Sequence, residues 1–361
     1  RCEMSTPHTV KPASWNPIAV GRPTYPNPII PTVRSPFAAW LAKSGVQPME
    51  SMRGAYFLNS MAISSEGMFT CHLNRLGMAN VLVTGGAGFI GTHLCQFLHD
   101  KSHHVISLDN NHTGEKPWEC ITADVRDSLQ LDGIDAIVHL AAQISVPRSI
   151  ENPDETLSVN VDGTSSIISA AESSGVKKII FASSAAVYGD SDQIPIPEDA
   201  PLIPQSPYAV SKIVGEELLR RSQIQTCALR FFNVYGPNQS ISGGYAAVIP
   251  AFKNAVANNM QCTIYGDGTQ IRDFIHISDL VRIIERAIEA DELPSELNIA
   301  SGEGTTVLQL IDILGESNTD MQAPNFEEER AGDIHTSLAD ISLLKSTFDI
   351  GELIDIREGL A

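Results

Sequence analysis

The chain has 361 residues, enough for about two domains, and a formal net charge of −19. So acidic a chain is not suited to neutralising the phosphates of nucleic acid or to lying on an anionic membrane surface. Its six cysteines (Cys2, Cys71, Cys95, Cys120, Cys227, Cys262) show no paired spacing, which predicts reduced thiols in a cytoplasmic protein and neither a disulfide framework nor a metal site. No apolar run approaches the ~18 residues of a membrane span.

Residues 1–77 differ from the rest. They hold nine of the 21 prolines, seven Lys/Arg and three Asp/Glu, net +4, which leaves −23 on residues 78–361. They sustain no helical or strand period and lack the apolar core of a signal peptide. We expect them to have little fixed structure or to be upstream of the natural protein, with Met78 as its start.

From Ala79 onward strand and helix patterns alternate, which predicts an α/β fold with a doubly wound parallel sheet. Asn80-Val81-Leu82-Val83-Thr84 is an apolar, β-branched run that suits a strand buried on both faces. Gly85, Gly86, Gly88 and Gly91 follow, and then Phe89, Ile90, Leu94, Phe97 and Leu98 recur at helical spacing. Glycines between a strand and a helix are where a dinucleotide fingerprint belongs: they allow a tight turn and bring a pyrophosphate close to free helix N–H groups. The next strand, His104 to Leu108, ends in Asp109, 18 residues past Gly91. An acid there accepts from the adenosine ribose and repels a 2′-phosphate, so NAD is expected over NADP.

Glu119 to Thr122 reads as a third strand and Asp135 to Ala142 as a fourth, with small residues at its end to let a flat cofactor lie on the sheet edge. His139, at that strand end, is expected to be structural. Residues 153–174 read as one long helix closed by Gly175. Lys177 to Ala182 is the fifth strand, leading into Ser183 and Ser184. Pro207 to about Arg221 is a helix that sets Tyr208 and Lys212 four apart on one face, with Ile213, Val214, Leu218 and Leu219 as its expected packing side. Thr226 to Arg230 is the sixth strand. Residues 274–300 return to the sheet. We therefore expect a Rossmann domain from residues 79–234 plus 274–300, and a smaller, discontinuous substrate domain from 235–273 plus 301–361. The chain stops at Arg357 to Ala361 inside an apparent helix with no C-terminal cap, an end expected to be incomplete.

The fingerprint with Asp109, Ser183-Ser184 after the fifth strand, and Tyr208-x-x-x-Lys212 together resemble the extended short-chain dehydrogenase/reductase family. Its nucleotide-sugar branch is marked by Arg230-Phe231-Phe232-Asn233-Val234-Tyr235-Gly236-Pro237, Tyr265-Gly266-Asp267-Gly268, Arg272-Asp273-Phe274-Ile275-His276 and Arg330-Ala331-Gly332-Asp333. The resemblance runs through nearly all of residues 79–361. It implies Ser184, Tyr208 and Lys212 as the catalytic set. A phenol of pKa ~10 is a weak base alone, and a nearby cation favours the phenolate. It also implies NAD contacts at Gly85, Gly88, Phe89, Ile90, Gly91, Asp109, Asp124, Val125, Leu140, Ala141, Ala142, Asn160, Ser183 and Phe231, besides Tyr208 and Lys212.

Within the branch, sugar 4,6-dehydratases typically carry an acidic pair after the serine. Here those positions are Ala185 and Ala186, so elimination lacks its general acid. Oxidation at C4, turning of the 4-keto sugar and re-reduction remain: an NAD-dependent 4-epimerase of UDP-hexoses, plain or N-acetylated. By the same resemblance Asn233, Arg272 and Arg330 hold the diphosphate, Val248 and Tyr265 line the uracil pocket, and Ala247, Asp333 and Ser337 complete the substrate contacts beside Ser184 and Tyr208. Ser337, seven residues past Arg330, is small enough to leave room for an N-acetyl group. The rival readings are a UDP-glucuronate epimerase or another nucleotide-sugar oxidoreductase, and a non-catalytic dinucleotide-binding protein. A homodimer through the helix of Tyr208 is expected by analogy.

Overall fold

A computed structural model describes residues 78–240, 247–316, 321–329 and 334–360. The expectations for residues 1–77, Arg330 and Asp333 lie outside these residues.

The first six strands are β1 Asn80–Thr84, β2 His104–Asp109, β3 Glu119–Thr122, β4 Ala136–His139, β5 Lys178–Ser184 and β6 Gln225–Phe231. After three short strands (β7 Asn233–Tyr235, β8 Thr263–Tyr265, β9 Ile271–His276) comes β10 Glu296–Ile299. Seven of these form a parallel sheet in the order β10-β6-β5-β4-β1-β2-β3, so the winding reverses between β1 and β4. That reversal opens a crevice at the carboxyl ends of the strands, where ligands of such sheets bind. The alternation along β1 explains its burial. Val81 and Val83 enter the core on one face and Leu82 the core on the other, all fully buried.

Helix α1 (Phe89–Asp100) follows the glycines. Gly85 has φ +72°, and a side chain there would strike Ala141. A Cβ on Gly91 would lie 2.1 Å from the Gly85 carbonyl oxygen, so only glycine lets the helix start this close to the turn.

Two local expectations change. The segment 153–174 is not one regular helix. The chain runs through α2 (Val146–Glu151), α3 (Pro153–Leu157), a wide π turn at Ser158–Asp162 and α4 (Gly163–Ser174), capped by left-handed Gly175. The π turn lets Asn160 face inward, where Oδ1 accepts from Gln143 N (2.7 Å) and Nδ2 donates to Gln143 O (3.0 Å) and Ser211 Oγ (2.9 Å). Such turns are frequent at functional sites.

Helix α5 (Pro207–Arg221), capped by Ser206, buries only part of the apolar side expected of it: Leu219 is buried, and Ile213 and Leu218 pack half-buried against the cores on the two faces of the sheet. Its buried residues are Ala209, Ser211, Lys212, Gly215, Glu216 and Leu219, while Ile213, Val214 and Leu218 are half-buried. Gly215 lies flat on the Phe181 ring, which draws Lys212 and Glu216 inward to meet polar partners.

Helices α6 (Val248–Ala257), α7 (Ile277–Glu289) and α8 (Val307–Glu316), strands β11 (Gly304–Thr306), β12 (Asn325–Glu327) and β13 (Thr336–Ser337), and helices α9 (Ser342–Thr347) and α10 (Ile356–Leu360) complete the described chain. A separate apolar cluster of Tyr235, Phe252, Ile264, Phe274 and Leu310 underlies its short sheets. Asp273, fully buried, clips three segments: its carboxylate accepts from Ser301 N and Oγ (2.8 and 2.7 Å), Gly302 N (3.0 Å) and Ala339 N (3.3 Å). No described helix is long and apolar enough to cross a membrane.

Candidate active site

Two cavities lie along the strand ends. The first, about 450 Å³, is lined by Gly85, Gly88, Phe89, Ile90, Asp109, Asp124, Val125, Leu140, Ala141, Ala142, Ser183, Ser184, Tyr208, Lys212 and Phe231 among others. It therefore takes in every residue expected at the cofactor and catalytic site except Gly91 and Asn160. Gly91 is buried under the glycine turn. Asn160 is engaged with Gln143 and Ser211, and so shapes the loop after β4 from behind.

The residues fit a dinucleotide. Asp109 closes β2 with each carboxylate oxygen accepting one backbone N–H, from Ala87 (3.0 Å) and Asn111 (2.9 Å). Each oxygen keeps acceptor capacity for ribose hydroxyls. The glycine turn leaves the N-terminus of α1, with no side-chain cap, as the phosphate cradle. From β2 to β5 the sheet order crosses three strand spacings, roughly 14 Å, so the Asp109 end and the Ser184 end stand a dinucleotide's length apart. Asp109→Asn should raise NADP affinity relative to NAD by about tenfold, the factor made by 1.4 kcal/mol. A ratio unmoved in paired binding titrations would remove Asp109 from cofactor choice.

At the far end, Lys212 Nζ donates to the Ala182 carbonyl (2.8 Å) and stands 5.7 Å from the Tyr208 ring centre and 4.9 Å from that of Phe181. Burial lowers its ammonium to about 8, opposed by Glu216 one turn along. Burial raises the Tyr208 phenol, and its hydrogen bond with Ser184 pulls it back down. Ser184 is itself held as the cap of the following turn, accepting from Ala186 N (3.2 Å). His139 is structural, as expected. Its ring nitrogens bond Thr84 Oγ1 (2.7 Å) and Thr164 Oγ1 (3.0 Å), and burial with the Lys212 charge drives it down to about 3.

Behind this set lies a buried ion pair. Arg230 donates from Nε and Nη2 to the two oxygens of Glu216 (3.0 and 2.8 Å) and from Nη1 to Tyr188 Oη (2.9 Å) and the Glu198 carbonyl (2.7 Å). Ser183 Oγ donates to Glu216 Oε1 (2.5 Å). Burial opposes the Arg230 charge, yet Glu216 holds its pKa above the usual arginine value. The strand of Ser183-Ser184 and the helix of Tyr208 and Lys212 are thereby tied together.

The second cavity, about 420 Å³, is lined by Asn233, Ala247, Val248, Tyr265 and Arg272 from the expected substrate set, with Gln239, Phe252, Gln270, Phe274 and Val307 among its other walls. Asn233 Nδ2 donates to the Asp273 carbonyl (2.9 Å) and Arg272 Nη1 to the Ile271 carbonyl (2.9 Å). Ser337 pairs in register with Arg272 but lines neither cavity. Val234 and Gln239 are walls of both cavities. Sequence reasoning missed Gln239, Ile144, Val159 and Gln270. Ile144 was within reach, since loops at the carboxyl ends of strands form such sites. Nothing local marks the others. Among the described residues, the carboxylates lining the two cavities are Asp109 and Asp124, both remote from Ser184 along the sheet order.

Comparison with known proteins agrees with this geometry. Residues 81–300 match the NAD dependent epimerase/dehydratase family. A UDP-glucose 4-epimerase of Mycolicibacterium smegmatis is 33% identical over 301 residues, covering 78% of this chain and 96% of that one. The structure of a UDP-N-acetylglucosamine 4-epimerase from Methanobrevibacter ruminantium M1, in complex with UDP-N-acetylmuramic acid, is similar at a TM-score of 0.74 and 34% identity, covering 79% of this chain and 96% of that one. That of TunA, an NAD dependent NDP-hexosamine 5,6-dehydratase of tunicamycin biosynthesis, is similar at 0.71 and 33%, covering 78% and 95%.

Proposed function

The chain belongs to the NAD dependent epimerase/dehydratase family, and on that premise we propose that it is an NAD-dependent 4-epimerase of UDP-sugars. The observation that carries the reading is that Ser184, Tyr208 and Lys212 line one cavity, with the Lys212 cation 5.7 Å from the Tyr208 ring centre, and that this cavity shares walls with a second one. When bound, NAD supplies the hydride acceptor and donor for C4 and adds positive charge beside the phenol. Tyr208 takes the proton of the 4-hydroxyl as the alcohol becomes a ketone, and returns it on re-reduction. Ser184 orients both oxygens. Lys212 favours the phenolate while tethered to Ala182.

Residues 79–234 with 274–300 hold the cofactor, and 235–273 with 301–361 hold the nucleotide. Asn233, Arg272 and Arg330 grip the diphosphate, with Ala247, Val248 and Tyr265 around uracil and Asp333 beside them. The sugar turns where the cavities adjoin, at Val234 and Gln239. A dehydratase neighbour shares the fold, but Ala185 and Ala186 have no proton to give a leaving hydroxyl, and no carboxylate among the described cavity walls stands near Ser184. The epimerase reading is therefore the better supported.

One coupled assay with UDP-glucose, UDP-N-acetylglucosamine and UDP-glucuronate, without added reductant, tests the reading. Conversion to the C4 epimer of at least one is expected. Loss of water, or stoichiometric consumption of NADH, would replace it.

Ser337 sets substrate size in this proposal. Ser337→Tyr should lower kcat/KM for the N-acetylated sugar by about 10–100-fold through steric exclusion while the plain hexose keeps its value. An unchanged ratio would mean that Ser337 does not face the sugar. The proposal also places the enzyme in the cytoplasm, where the free thiols of Cys95, Cys120, Cys227 and Cys262 stay reduced. It pairs two copies through α5, the helix of Tyr208, which sedimentation would reveal as twice the chain mass.

A further inference from the structure

Glu216 lines neither cavity. It stands one turn past Lys212 on α5, and both residues are 3% exposed. Residues four apart on a helix share a face, with Cβ atoms roughly 5–6 Å apart. Strand β5 draws the two side chains to one place. Lys212 Nζ donates to the carbonyl of Ala182 (2.8 Å), and Glu216 Oε1 accepts from Oγ of the next residue, Ser183 (2.5 Å). Ammonium and carboxylate are thus anchored on consecutive residues of one strand, buried where salt screens little.

Few other charges face Lys212. On α5 itself, Tyr208 is a phenol that burial keeps neutral. From β4, His139 is uncharged, driven down to about 3. From β5 come the Phe181 ring, 4.9 Å from Nζ, and the Ala182 carbonyl. From β6, Arg230 meets the Glu216 carboxylate and bridges it to Tyr188 Oη and the Glu198 carbonyl. Among the described residues, Glu216 is therefore the anion beside this ammonium. Burial strips the ammonium of its hydration and loosens its proton, and an adjacent anion opposes that loss.

We propose that Glu216 is a positioning residue of the reaction: its carboxylate, anchored by Ser183 and Arg230, keeps Lys212 a cation at neutral pH and so keeps that cation beside Tyr208. The catalytic consequence rests on the epimerase reading. The effect on Lys212 itself does not.

The test follows the ammonium directly. In protein carrying carbon-13 lysine, the Cε signal that is absent from Lys212→Met reports its titration. Wild type should show a midpoint of about 8. In Glu216→Gln, which keeps the shape and loses the charge, the midpoint should fall by about one pH unit. Arg230→Met breaks the same ion pair from the other side, and there the midpoint should stay or rise. A merely structural role would move both variants alike. The double variant Arg230→Met with Glu216→Leu carries an apolar pair in place of the charges. Its midpoint should again fall, which keeps the test decisive if Glu216→Gln fails to fold. The limb of kcat/KM that falls at high pH should move with the lysine. For whichever UDP-sugar the coupled assay shows to be converted, activity at pH 8 relative to pH 6 should be about fivefold lower in Glu216→Gln than in wild type. The proposal is overturned if Lys212 keeps the wild-type midpoint in Glu216→Gln and in the double variant. It is also overturned if Arg230→Met lowers the midpoint as far as Glu216→Gln does, or if the lysine moves and the rate limb does not. A protein that converts none of the three sugars sinks the epimerase reading instead, and the lysine midpoint then still decides whether Glu216 holds the charge.

Discussion

Tyr208→Phe is expected to lower epimerisation by about 10²–10⁴-fold, the range spanned by a positioned general acid–base group, with little change in NAD affinity. The substitution removes one oxygen and leaves the ring against the cavity wall. What it deletes is the acceptor of the 4-hydroxyl proton. Lys212→Met should cost a similar factor by a different route. Lys212 holds its proton below about pH 8 and loses it above, because burial disfavours the ammonium. The rate limb that depends on this cation therefore falls as pH rises through about 8. In Lys212→Met that limb should vanish, and the optimum should move upward, because the phenol must then ionise unaided. Profiles of kcat/KM against pH for the three proteins separate the roles. Near-normal turnover in either variant would refute the assignment of the base.

The second large effect is on stability. Arg230 and Glu216 have side chains 3% and 1% exposed and meet at 2.8 Å. Arg230→Met leaves the Glu216 carboxylate buried without its cation, which should cost about 3–5 kcal/mol. In a thermal scan this reads as a fall of roughly 10 °C in midpoint. Arg230→Met combined with Glu216→Leu should recover part of that loss, since an apolar pair of similar volume carries no desolvation penalty. Recovery will be incomplete because Ser183 and Tyr188 lose bonded partners. A change under about 1 kcal/mol in the single variant would show that water reaches Glu216.

Most of the sheet and the catalytic set were legible in the chain itself. The β-branched run Asn80–Thr84 and the helical recurrence from Phe89 are local patterns, and their period follows from backbone geometry alone. Tyr208 and Lys212 share a face because they are four apart on one helix, and Asp109 stands at a strand end because Val105 to Leu108 carry the strand. Each of these needs only neighbouring residues to be read.

The polar interior was decided by tertiary structure. In α5, apolar counting put Ile213, Val214, Leu218 and Leu219 inward; of these the fold buries Leu219, and it buries Lys212 and Glu216 as well. The reason is that Glu216 finds Arg230 on a strand 14 residues away, and Lys212 finds the carbonyl of Ala182, 30 residues away. Lys178 likewise ends among the last carbonyls of α7, with Ala287 and Ile288 as acceptors at 3.2 and 2.7 Å, more than a hundred residues distant. Burying a charge is favourable only beside a partner that satisfies it, and a partner brought by chain crossover leaves no periodic trace in the sequence. The same holds for Asn160 in its π turn and for Gln239 where the two cavities adjoin. Local periodicity therefore determined the strands, the fingerprint and the spacing of the catalytic pair. Which polar groups turn inward, and what they face, was set by contacts between segments far apart in the chain.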